Sequence, residues 1–352
     1  MPPKKATTSR GGYSHSNTTK KHTTPYIPKK IVGISGYGCQ IDVIFAIVLL
    51  RNTKEYKYTD VKFVYTKEDM EKCDIILGFG GKYDPQNNIY DYHQKNFNEY
   101  FDETISTKCT MTTASMIFKK FANKIIYNSI SEFHRQRYEI HSVTEELVNR
   151  TKYFFYEKCL EGIDAVLNGH EIFEHDDTHP LLFFDGTESQ CIVPDYCHSI
   201  HDIYVAIDKY RSVFFSSFES SLECAAKYPK IKKAAEEALQ RKNPLEKRIL
   251  FVDTMIESYL VRKVEESLHC DTKFLFIVRE YNGVFTCRAV SESHLNERAL
   301  FPVEWRGKEN DELIAVVGDK NVKFCHQSGF LLQCLSYDCA KKLTLIAVEN
   351  YS

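Results

Sequence analysis

Asp91 and His93 put a carboxylate and an imidazole one residue apart, inside the segment Ile89-Tyr90-Asp91-Tyr92-His93-Gln94. Such a couple can exchange a proton, hold a hard cation together with further ligands, or simply bond to itself. The self-bonded reading is the better one: Asp91 and His93 are expected to form a hydrogen-bonded pair that braces the loop, not a residual acid/base couple. A glycine turn, Gly80-Gly81-Lys82-Tyr83-Asp84-Pro85, precedes them. Elsewhere the 12 cysteines contain no C-x-x-C pair, so they read as buried thiols, not as a zinc motif. Cys197-His198 with His201 is the nearest thing to a ligand cluster, and it reads as the polar start of a helix.

Positioning Asp91 and His93 requires a scaffold, and the apolar pattern supplies one. Residues 31–36 read as a buried strand entering a glycine turn, and 42–50 as an apolar helix whose Asp42 suits the first turn through the macrodipole. Residues 61–65 and 74–77 read as further strands, the latter ending at Gly78. Strands alternating with helices imply βα units and a mostly parallel sheet, whose ligands sit at the carboxyl ends of the strands. The turns after Ile34 and Leu77 are therefore where a site belongs. Residues 112–121 and 144–167 predict helices, the second stopped by Asn168-Gly169, and a His-, Asp- and Pro-rich loop spans 171–194. Helices over 199–242 lead to strands at 274–278, 283–290 and 343–348. The fold class is α/β, an N-terminal domain with a mostly parallel sheet linked by helices to a smaller C-terminal α/β domain. Expected boundaries are a disordered basic tail at 1–30, the first domain at 31–195, a helical connector at 196–265 and the second domain at 266–352.

With 352 residues and 43% apolar side chains the chain can fill two cores. No apolar run approaches the roughly 18 residues of a membrane span, and no secretory-type segment follows the first charges, so membrane partners are not expected and the location expected is the cytoplasm, with reduced thiols. The net charge of −2 hides an uneven distribution: Lys4, Lys5, Arg10, Lys20, Lys21, Lys29 and Lys30 give the first thirty residues +7 with no acid, leaving −9 on the remainder. Each such cation can displace a condensed counterion from a nucleic-acid backbone, so the tail reads as an arm for structured RNA or a ribonucleoprotein, with no DNA partner expected. A nuclear signal around Pro2-Pro3-Lys4-Lys5 and a solubilising tail stay open as alternatives. A second basic stretch at 227–248 includes Lys230, Lys232 and Lys233; Pro229 is expected to precede a short helix that Asn243-Pro244 ends, giving either a phosphate-facing or a solvated face.

Three blocks go further. Gly80-Gly81-Lys82-Tyr83-Asp84-Pro85 with Tyr90-Asp91-Tyr92-His93-Gln94, then Phe301-Pro302-Val303-Glu304-Trp305-Arg306-Gly307, then Phe324-Cys325-His326-Gln327-Ser328-Gly329-Phe330, resemble motifs of the melanocyte-proliferating-gene family of the DHH phosphoesterase superfamily. The resemblance covers nearly all of the chain after the tail. It implies a DHH-type domain with its associated α/β domain, and for the family at large a manganese-dependent exonuclease acting on RNA. Two-metal phosphoesterases need His nitrogens and carboxylates converging on both cations, which make the hydroxide and neutralise charge at phosphorus. Aligned on the family motifs, the ligand positions of this chain hold Ile34, Cys39, Ile41, Gly78, Tyr92 and Leu167, and Asp42 stands where the family has Glu. A lone thiol makes no hard-cation site. The family's glycine pair after His326 is Leu331-Leu332 here, while Arg306 and His326 survive as candidate phosphate contacts. The resemblance thus implies a pseudoenzyme with no catalytic residue, metal or cofactor. Within the family the chain is similar to a ribosome-bound dormancy factor, which implies hibernation: filling a tRNA site of idle ribosomes and inhibiting translation. The alternative is a manganese-dependent RNA exonuclease that recruits Asp84, Asp91, His93 and Asp164.

Overall fold

Apolar β-branched runs separated by amphipathic or fully apolar helices build the first sheet. In the computed structural model, which describes residues 29–102, 109–169, 197–293 and 296–351, β1 (Ile31–Ser35), β2 (Asp60–Val64), β3 (Ile75–Leu77) and β5 (Ile89–Tyr90) run parallel. β4 (Tyr83–Asp84) closes one edge antiparallel to β5, giving the order β2-β1-β3-β5-β4. Register sets Ile34 beside Phe63 and Leu77, and Leu77 beside Tyr90, so the strands end nearly level. The tail residues Lys4, Lys5, Arg10, Lys20 and Lys21 and the whole of the 171–194 loop lie outside the described residues.

α1 (Ile41–Arg51) is apolar around its whole circumference, with only Arg51 not buried, as a helix clasped on all sides must be. It lies between α3 (Thr113–Ser129) and α7 (Ile200–Leu239). The short α2 (Lys67–Met70) and α4 (Glu132–Arg137) begin at the side-chain caps Thr66 and Ser131. α5 (Glu145–Phe155) continues through a π-helical turn, Tyr156–Leu160, into α6 (Glu161–Leu167), and Asn168-Gly169 ends the run as expected.

Two expectations need correction. Pro229 does not precede a short helix; it lies inside the 40-residue α7. Proline at 229 leaves the Ala225 carbonyl without its helical donor, and Arg150 Nε donates to that oxygen at 3.1 Å, which satisfies the acceptor the proline leaves open. Residues 343–348 are not a strand but part of α10 (Tyr337–Tyr351). A short apolar run does not distinguish strand from helix, and Ala340, Leu343, Thr344, Ala347 and Val348 bury one helical stripe.

The second sheet has the order β11-β12-β8-β7-β6, built from β6 (Ile249–Val252), β7 (Phe276–Tyr281), β8 (Val284–Ala289), β11 (Val322–Cys325) and β12 (Leu331–Cys334). A small ladder, β9 (Ser291–Ser293) with β10 (Asn296–Glu297), stands beside it, and β6 falls within the stretch expected to be helical connector. α8 (Ser258–Ser267) leads into this sheet, and α9 (Asn310–Val317) ends in left-handed Gly318. Two apolar cores result, one around α1, α3, α5 and α7, the other between the second sheet and α10. Where they meet, Arg298 grips Glu265 with two hydrogen bonds of 2.7 and 2.9 Å, both side chains buried. Among the described residues no helix is long and apolar enough to cross a membrane.

Candidate functional site at the carboxyl edge of the first sheet

The loops leaving β1, β3 and β5 meet at one edge, and Asp91 is the centre of the last of them. Its Oδ2 accepts the Gly81 N–H at 2.7 Å; its Oδ1 accepts the His93 N–H at 3.0 Å and faces His93 Nδ1 at 2.8 Å. Burial would raise the Asp91 carboxyl, but the His93 ring and the two N–H groups outweigh it and hold it below the usual carboxylate range. The same bond, with the field of Asp91 and Asp42, raises His93. Tyr92 stacks on the exposed His93 ring, centroids 4.2 Å apart. The couple is the hydrogen-bonded brace the sequence suggested.

Two more carboxylates hold the amino end of α3. Asp42 Oδ2 accepts the Thr113 N–H at 3.2 Å across from α1, so this residue ties two helices together besides suiting its own first turn. Burial raises its carboxyl against those hydrogen bonds. Asp164, fully enclosed, accepts from Thr112 N (2.9 Å), Thr112 Oγ1 (2.7 Å), Ser115 Oγ (2.7 Å) and Tyr156 OH (3.2 Å). Burial nonetheless pushes Asp164 up to about 7. Thr112, Ser115 and Tyr156 went unnoticed in the sequence because hydroxyls so widely scattered have no spacing that marks them as one network.

The residues at this edge do not suit a pair of manganese ions. Asp91 and Asp164 spend both oxygens on protein donors, and Asp42 spends its Oδ2. Asp84 is bound by Lys82 Nζ at 2.7 Å and by the Asn87 backbone and amide, which hold it down at about 2. Ile34 and Ile41 belong to the apolar core, Leu167 packs against it at the end of α6, and Tyr92 is committed to His93. Cys39 sits in a backbone bridge with Cys197, and burial pushes its thiol up to about 12. Gly78 is the most telling of the six: its φ is +73°, and a Cβ there would lie 2.4 Å from Val43 Cγ2. At that φ, with Val43 against it, a side chain at this position is strained. Among the described residues no three His, Cys, Asp or Glu side chains are grouped to hold a metal ion.

The other candidates lie apart from this edge. Arg306 Nε donates to the Phe301 carbonyl at 2.8 Å, and His326 Nδ1 faces Ser328 Oγ at 2.8 Å, both inside the second domain's loops. Lys230 pairs with Glu139 at 2.9 Å and Lys233 with Glu237 at 3.9 Å, while Lys232, half-buried, lies between them on α7. Lys29 and Lys30 pair with Asp60 (3.2 Å) and Asp74 (2.7 Å), which anchors the end of the basic tail at the amino edge of the sheet, opposite the carboxyl edge.

A model of the family MYG1_exonuc, described as Uncharacterised protein family (UPF0160), matches residues 38–348. "MYG1 protein C694.04c" of Schizosaccharomyces pombe is 22% identical over 306 residues, covering 82% of this chain and 88% of that protein. "MYG1 exonuclease" of Homo sapiens is 23% identical over 304 residues (82% and 78%), and "MYG1 protein C27H6.8" of Caenorhabditis elegans 21% over 336 residues (91% and 95%). Among solved structures, RecJ of Thermus thermophilus in complex with Mn2+ shares 11% identity at a TM-score of 0.24, over 92% of this chain and 52% of RecJ, so the chain spans about half that protein's length. A second RecJ bound to manganese shares 10% at a TM-score of 0.25, with 92% and 90% covered. A family match that runs from the loop after β1 into α10, through both sheets, makes the chain a member of the MYG1 family.

Proposed function

We propose that this MYG1-family chain has given up metal-dependent hydrolysis and serves as a cytoplasmic RNA-binding factor that docks on the ribosome, where it blocks a tRNA site during dormancy. The observation that carries the first half is Gly78: the position where the family motif places a carboxylate is a left-handed glycine with Val43 against it. The occupied oxygens of Asp91 and Asp164 support the same reading, since a carboxylate already facing N–H or O–H donors gains little from a cation, and Asp42 Oδ2 is turned to the Thr113 N–H. The second half rests on the basic arm, seven cations without an acid in thirty residues, and on the resemblance to a ribosome-bound relative.

A manganese-dependent RNA exonuclease is the second reading, favoured by the name "MYG1 exonuclease" of the human relative. Purified protein incubated with RNA and manganese separates the two: no bound metal and intact RNA for the binding factor, shortened RNA for the exonuclease. Sedimentation of cell extract through sucrose at low and high salt tests docking. Co-migration with ribosomes that is lost at high salt is expected, because phosphate contacts weaken steeply with ionic strength. Migration only with free protein at low salt rejects the ribosome assignment.

A further inference from the structure

All four parallel strands of the first sheet are followed within two residues by an aromatic: Tyr65 after β2, Tyr37 after β1, Phe79 after β3 and Tyr92 after β5. Neighbouring strands lie about 4.8 Å apart, so these side chains start from a row on the order of 14 Å long. Two of the rings are displayed to solvent, Tyr37 86% exposed and Tyr65 70% exposed, whereas Tyr90, inside β5, is buried. Because β1 and β2 are paired neighbours, these two exposed rings start from adjacent positions at this edge.

Tyr65 is also held in place. Gly36 bonds through its N–H to the Val64 carbonyl at 3.0 Å, and a Cβ on Gly36 would lie 2.3 and 2.4 Å from Tyr65 Cδ1 and Cε1. Only glycine leaves room for the ring to rest on that backbone. Tyr37 follows immediately, anchored by its N–H to Ser35 Oγ at 3.2 Å. At the other end of the row Tyr92 lies over His93, itself fixed by Asp91. Asp42 and Asp91 are buried and bonded internally, so they add little negative surface; the exposed Lys67 and Lys95 follow Tyr65 and Tyr92 in the chain, with the exposed Glu68 next to Lys67.

We propose that this edge binds single-stranded RNA by stacking unpaired bases on Tyr37 and Tyr65, with the Tyr92–His93 stack closing the row. The inference rests on the RNA-binding reading above and names its site within the folded part of the chain, on the opposite edge from the basic arm. Aromatic planes suit this task because every base has a face, and sheets of other RNA-binding domains stack two or three bases in this way. A ring already resting on backbone, as Tyr65 does at Gly36, loses less freedom on binding.

The test uses full-length protein and fluorescence anisotropy with a labelled single strand of about 12 nucleotides, within the range of known single-strand site sizes, and the same sequence as a duplex. Y37A/Y65A is expected to weaken single-strand binding on the order of tenfold per ring, with Y37F/Y65F close to wild type and duplex binding unchanged. Both tyrosines being exposed, thermal melting should show the Ala variant folded. Single-strand affinity of Y37A/Y65A equal to wild type overturns the stacking site. A full-length variant with K4Q, K5Q, R10Q, K20Q and K21Q separates the two claims: if it alone loses binding, the arm carries RNA and the edge does not. If wild type binds neither strand nor duplex, the RNA reading fails along with the site.

Discussion

Gly78→Asp puts back the carboxylate that the family motif carries before its glycine pair, and the structure sets what this should cost. At φ +73° a non-glycine residue loses about 1–2 kcal/mol. The new Cβ would approach Val43 Cγ2 to 2.4 Å, far inside the usual contact of about 3.5–4.0 Å. Val43 cannot step aside, because a β-branched side chain in a helix is restricted to one rotamer and α1 is buried on every side. Overpacking of that kind costs about 1–3 kcal/mol more. The sum, roughly 2–5 kcal/mol, is a large share of the about 5–15 kcal/mol by which a typical protein is stable. Gly78→Ala carries the same backbone and Cβ terms without the charge, so it should lose most of the same amount in urea unfolding, with Asp losing somewhat more beside Asp42 and Asp91. Neither should bind manganese in a titration or shorten RNA. An unfolding midpoint for both variants equal to wild type would refute the steric argument, and manganese uptake with RNA cleavage by Gly78→Asp would refute the loss of catalysis itself.

The remaining predictions concern what holds this edge and its supports. Glu265→Gln should lower stability by about 1–3 kcal/mol, because it removes the buried carboxylate that Arg298 grips and leaves Glu292 as the carboxylate partner of that guanidinium; urea unfolding with an unchanged midpoint would contradict the buried-pair assignment. Arg150→Met should cost about 1–3 kcal/mol by leaving the Ala225 carbonyl without a donor, and adding Pro229→Ala, which restores a helical N–H there, should recover part of it; a strictly additive double variant would count against this. Asp164 has a folded value near 7 against an ordinary 3.8, so its protonated form favours the fold: its contribution is complete below about pH 4 and is lost as pH rises to about 7. Wild type should therefore lose roughly 3 kcal/mol relative to Asp164→Asn between about pH 5 and about pH 8, read from urea midpoints at each pH, and a difference that stays constant with pH would show that the carboxyl is ionised throughout.

The sequence by itself determined the class of fold, the mostly parallel character of the early sheet, and the family, because apolar periodicity and contiguous motifs such as Phe301–Gly307 are local in the chain. It also showed which residue types stand at the positions that the resemblance aligns with the family's metal ligands. Tertiary structure alone decided how the leftover polar groups are used. Asp42 reads as an ordinary first-turn residue until Thr113, far along the chain, donates to it, and Asp164 becomes a saturated buried carboxyl only when Thr112, Ser115 and Tyr156 converge on it. Pro229 reads as a helix breaker until Arg150 supplies the missing donor, and 343–348 reads as a strand until α10 presents one apolar stripe to the second sheet. The row of Tyr65, Tyr37, Phe79 and Tyr92 is likewise invisible as a row in the chain, since strands far apart in sequence become neighbours only through backbone pairing, a non-local interaction that no spacing encodes.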